Sequence, residues 1–287
     1  MRVLAAADLT PPLALADDLL VHGDNLDVLG MLPDGAFDMV YVDPPFNTGA
    51  QRRRTTLRVV ADPDGDRVGF GGRRYRSEEA GSLAYADAYD DYLGFLAPRL
   101  EHARRVLAEH GTLYVHLDPR ESHYVKVHLD GLFGRECFLN ELVWAYDFGG
   151  RPRGRWPAKH DVILVYVKDR RRYHFDDAEV DREPYMAPGL VGPEKAARGK
   201  RPTDVWWHTI VPTNGREKTG YPTQKPEGIV RRMVAASSRP GGWCLDFFAG
   251  SGTLGAVARA LGRRFVLVDS SADAIDVARR RLGAGAA

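Results

Sequence analysis

The string Phe248-Ala249-Gly250-Ser251-Gly252-Thr253-Leu254-Gly255 constrains this chain more than any other, because it joins a strand to a helix through closely spaced glycines. A short apolar run, Trp243 to Phe247, precedes it, and helical spacing follows over 253–261. Glycines at such a turn let the backbone approach a bound nucleoside. Asp269, at the end of the next strand (Phe265 to Asp269), can accept hydrogen bonds from sugar hydroxyls. A phosphate-binding P-loop is excluded, since no Lys-Ser/Thr pair follows the glycines. Only 18 residues follow Asp269, enough for one helix over 273–282 and no further strand. The other strands must then come from earlier in the chain. The expected fold is an α/β Rossmann-like sheet, circularly permuted, whose first strand by function lies at 243–247 and whose continuation lies at 19–43. A dinucleotide-binding half of standard order would not stop there, which argues against a nicotinamide dehydrogenase.

The upstream pattern supplies those strands. Leu19 to His22 and Phe37 to Asp43 read as buried strands flanking a helix over 25–32. A helix is expected over 91–109, a strand over Gly111 to Leu117, a helix over Ser122 to Phe133, and β segments at Glu141 to Tyr146 and Val162 to Lys168. A helix near 226–238 leads back to the glycine loop. Residues 47–86, rich in Gly, Asp, Arg and Ser, show no periodicity and read as a long mobile loop. The stretch 170–220 is polar, with scattered Pro and Gly.

Asp43-Pro44-Pro45-Phe46 closes the second of these strands. A carboxylate at the end of a parallel strand stands where open α/β sheets bind ligands. Two prolines hold the following backbone extended and remove two donors, so the Pro44 carbonyl can point outward in a fixed direction. Phe46 adds an aromatic face. The set suits a planar amine: Asp43 and the Pro44 carbonyl accept its two N–H bonds, and Phe46 stacks on its ring. Drawing on both hydrogens localises a nitrogen lone pair otherwise delocalised into the ring, ready for in-line attack on a methyl sulfonium. By itself an Asp-Pro-Pro is equally a strand-ending turn. Beside a permuted glycine loop the two elements explain each other.

The net charge of +1 conceals segregation. Arg52, Arg53, Arg54 and Arg58 come without an acid, Arg73, Arg74 and Arg76 follow, and Lys195, Arg198, Lys200 and Arg201 form another group. Between Arg151 and Arg172, eight basic residues face two acids. Any one cluster is ordinarily a solvated surface; four outside the expected sheet point to a phosphate backbone. Cys137 and Cys244 lack metal-ligand spacing, so no metal site is expected, and two reduced thiols suit the cytoplasm. No apolar stretch reaches membrane-helix length, and Asp8 with Pro11-Pro12 interrupts the N-terminal segment that could pass for a signal peptide.

Taken together, the motifs resemble the amino-group DNA methyltransferases of the β arrangement, in which the catalytic motif precedes the cofactor motif. Asp43-Pro44-Pro45-Phe46 matches that family's D-P-P-Y/F, and Phe248-Ala249-Gly250-Ser251-Gly252-Thr253 its F-x-G-x-G loop. Tyr221-Pro222-Thr223-Gln224-Lys225-Pro226 is similar to its H/Y-P-T-Q-K-P segment, and His22-Gly23-Asp24 to a further cofactor-side motif. The resemblance implies a seven-stranded sheet with S-adenosylmethionine over the strand ends. It places Gly250, Ser251, Gly252 and Thr253, after Phe248, beside the amino-acid part of that cofactor, and Asp269 beside its ribose. Asp24 would lie near the adenine, although a plain helix N-cap explains it as well. Thr223 and Lys225 would hold the methionine end, Lys225 its carboxylate.

Asp at the first motif position is the usual N6-adenine form, Ser the N4-cytosine form. The implied activity is therefore methylation of adenine N6 in double-stranded DNA by base flipping, with the 47–86 loop closing over the base. N4-cytosine methylation, an RNA substrate and a catalytically silent DNA-binding relative stay open as alternatives. In this scheme residues 1–146 carry the catalytic part, 147–220 a small target-recognition insertion, and 221–287 the cofactor part of one domain. DNA contacts are expected from Arg52, Arg53, Arg54, Arg151, Arg153, Arg155 and Lys159, mostly to phosphate. Trp206 and Trp207 either stack on a base or pack locally. His116 and Asp118 tempt as an acid–base pair but read as structural. A homodimer covering the site and a cognate restriction enzyme are the candidate protein partners.

Overall fold

A computed structural model of the chain describes residues 1–47, 52–62, 64, 67–68, 74–85 and 89–283. It divides into two units, Met1–Pro44 with Asp91–Ala287, and Pro45–Asp90.

Among the described residues, the larger unit is built on nine strands: β1 (Arg2–Ala5), β2 (Leu19–His22), β3 (Phe37–Val42), β7 (Leu107–Leu117), β8 (Phe138–Ala145), β9 (His160–Val167), β10 (Val205–Trp207), β11 (Trp243–Asp246) and β12 (Arg264–Asp269). They lie in the order β1-β2-β12-β11-β3-β7-β9-β8-β10, where nine strands replace the expected seven because short β1 and β10 extend the two edges. All neighbours run parallel except β9, which is antiparallel to both β7 and β8. Every residue of β3 is buried, as a parallel strand covered on both faces requires. The permutation is realised in the register: Asp246 of β11 pairs with Tyr41 of β3, and Asp269 of β12 with His22 of β2.

Helices α1 (Asn25–Met31), α2 (Tyr92–Val106) and α3 (Pro119–Phe133) cover one face, and α5 (Glu227–Ser237), α6 (Thr253–Ala260) and α7 (Ala272–Arg281) the other. On α5, Ile229, Val230, Met233 and Val234 keep helical spacing and are fully buried, each contributing about 1.5–3 kcal/mol. Acids and a serine start the helices: Asp24, Asp91, Asp118 and Ser271 each accept a backbone N–H. Leaving β11 the chain passes through α6 to β12 on one side, whereas leaving β3 it passes to β7 on the other. The switch point of the sheet thus falls between β11 and β3, where such folds bind ligands.

Two expectations are corrected. Residues 47–86 are not a structureless loop: β4 (Arg52–Ala61) and β6 (Arg74–Tyr85) form an antiparallel pair, with β5 (Arg67–Val68) along β6. Thr55, Thr56, Val59 and Val60 are β-formers whose signal the surrounding Arg, Gly and Asp obscure. The segment 147–220 is not wholly an insertion either, since β9 and β10 are members of the main sheet and only the connecting stretches, one holding the short helix α4 (Pro193–Arg198), lie outside it.

Candidate active site

Three neighbouring strands end in carboxylates. β3 runs into Asp43, β11 ends at Asp246 and β12 at Asp269. Asp269 fixes the glycine loop: its Oδ2 accepts from Gly250 N at 2.8 Å and its Oδ1 from Ser271 N at 2.9 Å. Burial nevertheless raises its pKa, against these two bonds. Gly250 and Gly252 sit at φ +48° and +72°; an added Cβ would stand 3.1 Å from the Tyr221 ring at the first and 2.9 Å from Ala278 Cβ at the second. Only glycine fits this cradle. Its close-set backbone, the N-terminus of α6 and the strand-end acid fit the amino-acid and ribose parts of S-adenosylmethionine. Phe248 lies half-buried beside them.

Asp246 was not singled out in the sequence, although it ends a buried parallel strand as Asp43 and Asp269 do. It is almost fully buried and accepts from Phe248 N at 3.0 Å. Burial drives its pKa well above the carboxylate range, and the charges of Asp43 and Asp269 drive it further, with Lys225 opposing.

Lys225 Nζ lies 2.6 Å from both Asp43 oxygens, with side chains only 11% and 15% exposed. The sequence suggested a cofactor carboxylate as its partner; here the lysine holds the motif acid, 182 positions away in the chain. The rest of the Tyr221–Pro226 segment delivers it. Gln224 is buried, its Oε1 accepting from Thr219 N and Oγ1 at 2.8 and 2.9 Å and its Nε2 donating to Glu217 O at 2.6 Å. Thr253 Oγ1 donates to the Lys225 carbonyl at 3.2 Å. Arg281, unremarked in the sequence, donates to Thr253 Oγ1 at 2.9 Å and Ser251 Oγ at 3.2 Å, and pairs with Glu227 at 2.6 Å. The Ser251 and Thr253 hydroxyls thus brace the loop from within, and Thr223 is exposed.

On the far side of the loop, Asn25 Nδ2 donates to Phe247 O at 2.7 Å while its Oδ1 accepts from Arg99 Nε at 2.6 Å. Arg99 lies 4.0 Å over the Phe95 ring, which in turn neighbours Phe248 at 6.1 Å. Asp24 caps α1 through Leu26 N at 2.8 Å and stays 56% exposed, with Arg99 at 3.5 Å. Asn25 and Arg99 escaped the sequence reading, the first by standing next to a better capping residue.

His116 and Asp118 do not pair. Asp118 caps α3 and binds Arg120 at 2.7 Å. Wholly buried His116 faces Asp161 through Nε2 at 3.0 Å and Tyr41 through Nδ1 at 2.9 Å. An Nε2–H donated to Asp161 and a Tyr41 O–H donated to Nδ1 satisfy all three groups. Tyr146 O–H donates to the other Asp161 oxygen at 2.8 Å. Burial alone would raise the Asp161 pKa, but the hydrogen bond from His116, then Lys225 and Tyr146, bring it below the usual range. Asp161 therefore stays an anion, a second negative neighbour for Lys225.

The basic residues divide. Arg151, Arg153 and Arg155 are exposed, Arg151 with Asp147 at 3.5 Å, while Lys159 Nζ donates to Gly149 O at 2.7 Å. Arg52, Arg53 and Arg54 fall on β4, and their side chains lie outside the described residues. Trp206 is buried, its Nε1 donating to Thr203 O at 2.7 Å; Trp207 is 77% exposed. Among the described residues no group of three His, Cys, Asp or Glu could hold a metal ion, and no helix is long and apolar enough to cross a membrane.

A family model described as "DNA methylase" matches residues 37–280. Over 271 residues the chain is 29% identical to the DNA adenine methyltransferase YhdJ of Escherichia coli, covering 92% of this chain and 82% of that one. It is also 29% identical to the type II methyltransferase M.HpaI of Haemophilus parainfluenzae, covering 93% and 74%. Among solved structures, the fold matches the PvuII cytosine-N4-specific DNA methyltransferase with TM-score 0.64 at 13% identity, covering 96% and 89% of the two chains. It matches the M1.HpyAVI–SAM complex with TM-score 0.58 at 18% identity, covering 92% and 98%. With the permuted sheet, the glycine cradle and the strand-end acid brought to one edge, the chain belongs to the DNA methylase family and is an S-adenosylmethionine-dependent DNA amino-methyltransferase.

Proposed function

We propose that the chain methylates the N6 amino group of adenine in duplex DNA, taking the target base out of the helix to do so. The observation that carries the reading is Asp43, held by Lys225 at the switch point of the sheet, one strand away from the glycine loop. An aspartate rather than a serine at the start of this motif favours adenine, and the relative YhdJ is named a DNA adenine methyltransferase.

When bound, S-adenosylmethionine supplies an electrophilic methyl group on a sulfonium. Gly250, Gly252 and Phe248 would hold it, with Asp269 at the ribose and Asp24 and Thr223 at its margins. Lys225 takes one lone pair from each Asp43 oxygen and leaves the other for an incoming N–H. The carboxylate plane is thereby set before substrate arrives, so little is lost to reorganisation on binding. Asp43 and the Pro44 carbonyl then accept the two amine hydrogens, which concentrates the lone pair on nitrogen. Asp43, already bonded to that nitrogen, is placed to take the proton it sheds. For Phe46 the role, stacking on the base, rests on the motif alone. Arg151, Arg153, Arg155 and the arginines of β4 would neutralise phosphates.

Incubating the chain with duplex DNA and labelled S-adenosylmethionine, then digesting to nucleosides, should yield labelled N6-methyladenine. Label in N4-methylcytosine would overturn the choice of base, and absence of label would overturn the activity.

A further inference from the structure

The loop joining β8 to β9 leaves the sheet at a defined place. Ala145 pairs with His160, and Leu117 pairs with Val162, so the loop emerges at the edge where β7 ends. Because β3 runs parallel to β7, this is also the edge that carries Asp43. The loop is closed at its base by Tyr146 N donating to Lys159 O at 2.9 Å and by Lys159 Nζ donating to Gly149 O at 2.7 Å. Beyond that base stand Trp156, 94% exposed, and three exposed arginines, Arg151, Arg153 and Arg155. The Trp156 indole is the most exposed of the five in the chain: Trp144 and Trp206 at this end are buried, and Trp207 is 77% and Phe148 64% exposed. Pro157 confines Trp156 to an extended backbone and Pro152 stiffens the other limb, so little freedom is left to lose when the ring engages a partner.

A base withdrawn from a duplex leaves a gap between two unstacked neighbours. An aromatic ring carried in on phosphate-neutralising arginines is suited to fill it. Resting on the reading of the chain as a base-flipping enzyme, we infer that Trp156 inserts into the space vacated by the target base. It is a positioning residue: it holds the flipped state open without touching the reacting atoms.

The test uses the full chain as Trp156→Ala and Trp156→Phe, with Trp207→Ala for comparison. Each acts on duplexes whose target adenine is either paired with thymine or set opposite an abasic position, where it has no base pair to break. Trp156→Ala should lower kcat/KM on the paired duplex by about ten- to hundredfold, the value of one stacked base. Most of that loss should return on the abasic duplex, S-adenosylmethionine affinity should be unchanged, and Trp156→Phe should keep most of the activity. With 2-aminopurine at the target position, the fluorescence rise on binding should shrink in Trp156→Ala. An unchanged rate, or an equal loss on both duplexes, overturns the insertion. So does a loss rescued by the abasic duplex in Trp207→Ala instead. In each of these cases the wild type still methylates; a wild type that transfers no methyl group removes the underlying reading, and this inference with it.

Discussion

The two edges of the main sheet treat charge in opposite ways. At the edge where the parallel strands begin, Asp18 and Asp34 meet arginines near solvent, Arg264 at 2.9 Å and Arg105, and the more deeply set Asp38 meets His110 at 3.1 Å and Arg239 N at 3.1 Å. At the edge where they end, buried Asp246 and partly buried Asp269 have raised pKa values, and Asp43 shares one lysine with the field of Asp161. The first arrangement adds modest stability, since partly exposed pairs are worth about 0–1 kcal/mol. The second is expensive, because buried charge is costly to desolvate. Among the described residues, the acids whose pKa burial raises stand at this second edge, beside the motif acid.

Replacing Asp43 attacks the contrast at its centre. Asp43→Asn should lower methyl transfer by about a thousandfold or more with S-adenosylmethionine binding largely kept, as turnover and calorimetry would read. It should also destabilise by up to about 3–5 kcal/mol in denaturant titration, because the buried Lys225 ammonium loses the nearer of its two negative neighbours. Adding Lys225→Met should recover stability and leave the enzyme inactive; recovered activity would disprove the assigned role.

Next in size, Asp269→Ala should weaken cofactor binding by about 1–3 kcal/mol by calorimetry, since the glycine loop loses the acceptor that shapes it. Unchanged affinity would take Asp269 out of the site. Asp246→Asn should raise thermal stability at neutral pH while preserving the acceptor for Phe248 N. The sign follows from a folded pKa lying above the unfolded one. Below the ordinary carboxylate range both states are protonated and nothing is gained. Rising through the window up to the folded pKa, the wild type loses about 1.4 kcal/mol per pH unit, and the variant escapes that loss. A stability difference independent of pH would contradict the buried acid. The smallest effect belongs to the opposite edge: Asp18→Ala should cost up to about 1 kcal/mol and leave transfer rates alone.

Periodicity and turn chemistry located the elements that position the site. β2, β3, β11, β12 and α5 to α7 stand within a residue or two of expectation, because buried parallel strands read as unbroken apolar runs. β1 and β10 went unread because short edge strands carry too little pattern, and β4 to β6 because charged and glycine-rich composition masked their alternation. Within the candidate site, motif spacing pointed to Asp43, the glycine loop and Asp269, which the sheet brings to one edge. It could not show that Lys225 faces Asp43, or that His116 bonds to Asp161 rather than to nearby Asp118. Those pairings are properties of the assembled sheet, in which residues 45 and 182 positions apart become neighbours.

Interleaving strands from the two sequence-distant parts has a consequence for synthesis. As the polypeptide leaves the ribosome, β2 and β3 appear early, but their partners β12 and β11 follow more than 200 residues later. Until then both strands keep an unpaired backbone edge, and Asp43 has no Lys225 beside it. Their assembly is a long-range closure, slow by topology and impossible before β11 and β12 have been made. An interrupted chain carrying the Asp-Pro-Pro-Phe motif but not β11 and β12 therefore lacks the centre of its sheet.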